Sequence, residues 1–169
     1  MKKIILTALI AGIFASTAQA VPSNNVSKKI TLTAQINDSL FVSKPDGSTW
    51  YTTEELDAED YKQQKFSKTL PVRVWSKNDS FKVSLAQPLM MTNSGTAMEN
   101  AMVTWNSAAG AKALTTAQAE TVTQVSGDAT NGYDNIYDLT INVDAPQTPI
   151  NGTYTGDLVM VFEPVTTAP

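Results

Sequence analysis

The chain of 169 residues contains no cysteine and no histidine. Without cysteine no disulfide can staple the fold, so its stability has to come from packing, strand pairing and contacts with other molecules. Without histidine the usual near-neutral general base and the commonest zinc ligand are missing, which closes the Ser-His-Asp and zinc-hydrolase readings. Basic residues are also few, 12 Lys and Arg against 16 Asp and Glu, for a net charge of −4. That sign repels nucleic acid phosphates and anionic membrane surfaces, so neither is an expected partner. Long apolar runs are confined to residues 4–15.

That run follows Met1-Lys2-Lys3 and precedes Ser16-Thr17-Ala18-Gln19-Ala20. A positive start, a short apolar stretch and a small-x-small end make the three parts of a secretory signal peptide, with cleavage expected after Ala20. The stretch is too short to cross a bilayer comfortably. The remaining chain, about 149 residues, fits one domain with its own core. Losing Lys2 and Lys3 leaves ten basic against sixteen acidic residues, a net charge of about −6.

Residues 26–36 place Val26, Ile30, Leu32, Ala34 and Ile36 on one side, and Lys29, Thr31, Thr33 and Gln35 on the other. Period two with β-branched residues predicts a strand. Alternation alone favours an ordinary first strand pairing within its own sheet. Pro45-Asp46-Gly47 predicts a turn. Residues 51–64 gather Glu54, Glu55, Asp57, Glu59 and Asp60 without a sustained apolar face, which predicts a solvated loop with one helical turn at most. Leu70, Val72 and Val74, then Asn78-Asp79, then Phe81, Val83 and Leu85 read as an antiparallel hairpin. Residues 102–105 make a further strand. Another, carrying Ile136, Leu139, Ile141 and Val143 near Tyr137, follows the Asn131-Gly132 turn.

Residues 108–125 are rich in Ala, Thr and Gln, and read either as a short helix over 113–120 or as a long polar loop outside the core. Residues 151–163 open on Asn151-Gly152 and close on the run Leu158 to Phe162, the pattern of a strand buried on both faces. Short strands at this spacing, without alternating helices, predict an all-β sandwich of immunoglobulin-like type.

The segment Val26-Ser-Lys-Lys-Ile-Thr-Leu-Thr-Ala-Gln-Ile36, the Asp46-Gly47 that follows, the Val103-Thr-Trp105 strand and the ending Gly152-Thr-Tyr-Thr-Gly-Asp-Leu-Val-Met160 together resemble the CS1-type major pilins. This is the alternate chaperone/usher class typified by colonization factor antigen I fimbriae. The resemblance is tightest at the two ends, and the lack of cysteine agrees with it. Residues 21–25 precede the matching segment, and the acidic stretch between Trp50 and Gln64 is longer than the family pattern.

The resemblance implies an incomplete immunoglobulin-like sandwich completed by donor-strand complementation, with residues 1–20 a signal peptide, 21–37 a donor-strand extension and 38–169 the pilin domain. It implies Val26, Ile30, Leu32, Ala34 and Ile36 as groove-filling side chains, with Lys28 in the same register, its stem along the groove and its ammonium in water. The C-terminal strand, through Leu158, Met160 and Phe162, would touch the next subunit or a chaperone. The implied partners are identical subunits in a head-to-tail polymer, a periplasmic chaperone, an outer-membrane usher and a tip adhesin, with no nucleic acid and no cofactor. The implied destination is the cell surface, in the fimbria, reached through the periplasm.

Two rival readings carry different chemistry. Paired carboxylates such as Glu54 and Glu55, or Asp57 and Asp60, can serve glycosidases, but here they lie in a polar loop with no apolar pocket to raise a pKa. A minor or tip pilin would bind a host glycan directly, and Trp50-Tyr51, bordering the acidic loop, is the candidate receptor surface. Trp75 and Trp105, lying in strands, are expected in the core.

Overall fold

The computed structural model describes residues 40–165, and within them there is no helix. Twelve strands follow in chain order: β1 Leu40–Ser43, β2 Asp57–Ala58, β3 Lys65–Ser76, β4 Ser80–Leu85, β5 Thr92–Asn93, β6 Thr96–Ala97, β7 Glu99–Ser107, β8 Gly110–Ala113, β9 Glu120–Thr123, β10 Gly127–Asp128, β11 Gly132–Asp144 and β12 Met160–Pro164. The larger sheet runs β1-β3-β11-β7-β8, with β2 added to β3 and β10 to β11. The smaller runs β12-β4-β9, and β5 and β6 make a ribbon of their own.

The strands lie where β-branched and aromatic residues alternate with polar ones, and the alternation decides which face is buried. Leu70, Val72 and Val74 from β3, Tyr137, Leu139 and Ile141 from β11, and Val103 and Trp105 from β7 line the inner face of the large sheet. Phe81, Val83 and Leu85 from β4, with Val122 from β9, face them from the small sheet in one continuous cluster. Phe81 sits edge-on to Trp105 at 6.0 Å and to Tyr137 at 5.6 Å, so aromatic contacts stitch the two sheets together. The result is the predicted all-β sandwich, with its two sheets left open at their edges.

Several local expectations are corrected. β3 and β4 are not a hairpin: they lie in different sheets, and the chain between them crosses from one layer to the other. Alternation fixes the face a strand buries and says nothing of its hydrogen-bonded neighbour, so both arrangements satisfy the same pattern. The crossing is tied by polar bonds. Ser76 Oγ donates to the Asn78 carbonyl, Asn78 Nδ2 donates to the Val165 carbonyl at 2.7 Å, and the Gln124 backbone N–H donates to the Asp79 carbonyl at 2.8 Å. Gln124, itself buried, donates from Nε2 to Ser76 Oγ at 2.7 Å and accepts from Asn135 Nδ2 at 3.0 Å. These partners satisfy polar groups whose burial would otherwise cost stability.

No helix forms over 113–120. The wider stretch 108–125 supplies β8 and β9 instead, and Leu114 and Val122 enter the core from it. Helix propensity of Ala and Gln is a weak preference, overridden here by the burial of two aliphatic side chains. Likewise residues 51–64 contain no helical turn. They hold the two-residue β2, with Leu56 packed against the core and Asp57 paired to Lys68 at 2.9 Å. Ile136 is 59% exposed, because the inward residues of β11 are the odd ones, Tyr137 to Val143. Trp75 also points outward: its Nε1 donates to the Asn131 carbonyl at 3.3 Å, and its ring lies over Gly132. Only Trp105, 1% exposed, takes the core role expected of both. Its buried Nε1 finds no hydrogen-bond partner among the described residues.

Candidate functional site: an uncovered cleft between two sheet edges

β1 pairs with β3 on one side, and β12 pairs with β4 on one side. Neither has a strand on its other side among the described residues. Between these edges runs an apolar cleft of about 260 Å³ lined by Val42, Trp50, Met160 and Phe162. Among the described residues the sandwich therefore leaves two neighbouring edges unpaired where its interior reaches the surface, and unpaired edges over apolar side chains are what an incoming strand can complete.

Alternation builds each wall. Along β12, Met160 and Phe162 turn toward the core and are half-buried, while Val161 and Glu163 turn away. Leu158, just before the strand, is half-buried against the same core. The expectation of burial on both faces thus fails: Val161 is 36% and Val159 43% exposed, because an edge strand of an outer layer has only one covered face. Leu40 and Val42 make the matching inward face of β1, in register with Ser76 and Val74 of β3.

Trp50 comes from neither sheet. It lies in the irregular stretch after the turn at residues 45–47, closed by the Gly47 N–H donating to the Lys44 carbonyl at 2.9 Å. Its ring stands edge-on to Phe162 at 6.0 Å and to Tyr51 at 5.6 Å. Tyr51 backs it firmly: the phenol donates to the Pro71 carbonyl at 2.7 Å, and Lys44 Nζ lies 4.8 Å from the ring centre. Burial, with the Glu54 charge adding to it, pushes the Tyr51 phenol above its ordinary pKa, so it stays protonated as a donor.

Of the candidate residues read from the sequence, Trp50, Met160 and Phe162 line this one cleft, Tyr51 packs behind Trp50, and Leu158 packs against the core. Val26, Lys28, Ile30, Leu32, Ala34 and Ile36 lie outside the described residues. Sequence reasoning did not single out Val42, a wall residue, or Leu40, its inward neighbour on β1. Their alternation was visible, but β1 is too short to declare which neighbour it would lack. Among the described residues no acidic cluster is arranged to hold a metal ion.

This all-β sandwich has a counterpart among solved structures. The structure of the CooA pilin subunit from enterotoxigenic Escherichia coli matches it with a TM-score of 0.61, covering 78% of this chain and 90% of that one at 17% sequence identity. A family model, CS1 type fimbrial major subunit, matches residues 26–163, and the chain belongs to that family. No curated protein matches the sequence. The family is one of structural subunits rather than enzymes, and its place is the fimbria at the cell surface. The matched range begins at Val26, takes in the whole alternating segment, and ends inside β12.

Proposed function

We propose that this chain is the major structural subunit of an adhesive fimbria and polymerises head to tail by donor-strand exchange. The N-terminal extension of one copy, residues 21–37, fills the cleft of the next. The observation that carries the reading is that β1 and β12, which border one apolar cleft, are both without a second neighbour among the described residues. A strand laid between them gains main-chain hydrogen bonds on both sides, while its alternate side chains replace water against Val42, Met160 and Phe162. Val26, Ile30, Leu32, Ala34 and Ile36 supply such a face, and Lys28 keeps its ammonium in water. Donor and acceptor surfaces differ, so the contact is heterologous and builds an open filament instead of a closed ring.

The same physics calls for helpers. A subunit leaving the secretion channel after removal of residues 1–20 exposes its cleft, and an exposed apolar edge aggregates. A periplasmic chaperone that covers the cleft, an outer-membrane usher that exchanges it for a donor strand, and a tip adhesin that starts the fibre complete the reading. Export through the periplasm fits the N-terminal pattern of charge and hydrophobicity.

Co-expression with chaperone and usher tests it, comparing the full chain with a deletion of residues 21–35 by electron microscopy and native gels. Long fibres from the full chain, and only chaperone-bound monomers from the deletion, are expected. Monodisperse free monomers from both would overturn the proposal.

A further inference from the structure

Three of the four cleft walls are borne on strands; the fourth, Trp50, is carried by an irregular segment and stands edge-on to Phe162 of β12 at 6.0 Å. Resting on the donor-strand reading, we infer that Trp50 is the specificity-determining wall of the cleft and that the donor side chains it selects are Ile30 and Leu32.

The selection follows from size and spacing. Met160 and Phe162 are two residues apart on β12, so the donor strand beside them presents its own pair of inward side chains at the same spacing of about 6.8 Å. An apolar cavity of about 150 Å³ accommodates a benzene ring. A cleft of about 260 Å³ therefore takes two branched aliphatic side chains. Within residues 26–36 only one pair two residues apart offers two of them, Ile30 and Leu32. Sliding the donor by two residues in one direction brings Lys28 into the cleft, and in the other brings Ala34, which leaves the space part empty. An unfilled apolar space loses contacts on every wall, and a lysine there costs more. Trp50 makes the difference felt because it does not yield. Its ring is held edge-on by Phe162 on one side and by Tyr51 on the other, with Tyr51 itself tied to β3 through Pro71.

The test uses fibres of the full chain, where every joint carries both donor and acceptor, and reads the rate at which they dissociate in denaturant. Trp50→Ala, Leu32→Ala and Ile30→Ala should each speed dissociation by about tenfold or more. Adding Trp50→Ala to either donor change should slow or speed the single variant by no more than about twofold, because the contact is already lost. Trp50→Ala combined with Ile36→Ala should multiply the two single effects. Trp50→Phe should recover most of the wild-type rate. The absence of cysteine permits a second arm that does not depend on Trp50 variants assembling. Leu32→Cys or Ile30→Cys, paired with Met160→Cys, should give covalent ladders on non-reducing gels, and Ile36→Cys with Met160→Cys should not. Multiplicative effects at every donor position, or ladders from Ile36→Cys instead, would overturn the register while leaving strand exchange standing. Failure of the wild-type chain to form fibres would remove the reading on which the register rests.

Discussion

Gly132 opens β11 with φ of +83°, a left-handed conformation, and a Cβ placed there would come 2.7 Å from the Trp75 indole nitrogen. Two separate demands meet at this residue, backbone handedness and room for an aromatic roof. Gly132→Ala is expected to lower stability by about 1–3 kcal/mol, measured as a fall in melting temperature. Combining it with Trp75→Ala should return the steric part only, so the double variant should stay below Trp75→Ala alone. Tyr137 carries a different signature, since burial pushes its phenol from the ordinary 10.0 up to about 12. In the fold the phenol holds its proton more tightly than in the unfolded chain. Its stabilising contribution is therefore complete below pH 10 and is lost as pH climbs from about 10 through about 12. Tyr137→Phe keeps the ring and removes the titration, so melting curves of the two proteins should converge or cross above pH 10. Parallel curves up to pH 12 would show that this phenol is not buried. On the acid side, Asp134 is held below the usual carboxylate range by Arg73, whose Nε donates to it at 2.9 Å and 3.2 Å. Its contribution stands above the ordinary carboxylate pKa and disappears as pH falls through the lowered value.

β12 separates fold from assembly at the scale of an element, because one of its faces meets the core and cleft while the other meets water. Val161→Lys, on the outward face, is expected to leave fibre yield nearly unchanged. Phe162→Lys puts an ammonium into the cleft against Trp50 and Trp105, and should abolish fibres even if the subunit is still secreted. Equal loss from both substitutions would mean that β12 does not border the assembly site. Much of this element was legible, since Leu158, Met160 and Phe162 alternate in the sequence itself. Its outward exposure was not, because a continuous apolar run reads the same whether one face or both are covered. The same limit explains the false hairpin. The buried apolar residues of β3 and β4 were all identified, yet their placement in opposite sheets depends on pairing with β11, β9 and β12, which lie far along the chain. The reading of residues 108–125 failed differently. Leu114 and Val122 are isolated aliphatics in a polar stretch, and only the assembled sandwich gives them a place to be buried. Trp50 was singled out as a surface aromatic; its position against Phe162 required a contact more than a hundred residues away in sequence.

Over the whole molecule, the open cleft couples folding to assembly. The half-buried ring of Leu40, Val42, Trp50, Leu158, Met160 and Phe162 marks where the core of the sandwich stops short of full coverage. A donor strand that binds there binds the folded subunit and has no equivalent site on the unfolded one, so occupancy adds stability by mass action. When the donor is present at about 100 times its dissociation constant the gain is about 2.7 kcal/mol, which for a chain of this length raises the melting temperature by about 5–10 °C. In a fibre the donor is tethered beside its site and its effective concentration is higher still, so the gain should exceed that figure. Calorimetry on assembled fibres and on subunits released from the chaperone is expected to give a melting temperature at least about 10 °C higher for the fibre. A synthetic peptide of residues 24–37 added to released subunits should move their melting temperature toward the fibre value, with a shift that grows with the logarithm of peptide concentration. A peptide with Leu32→Asp should produce little shift, since a carboxylate cannot be left unpaired against the cleft walls. If fibre and free subunit melt together, or both peptides act alike, the energy holding subunits together lies on some surface other than the cleft between β1 and β12.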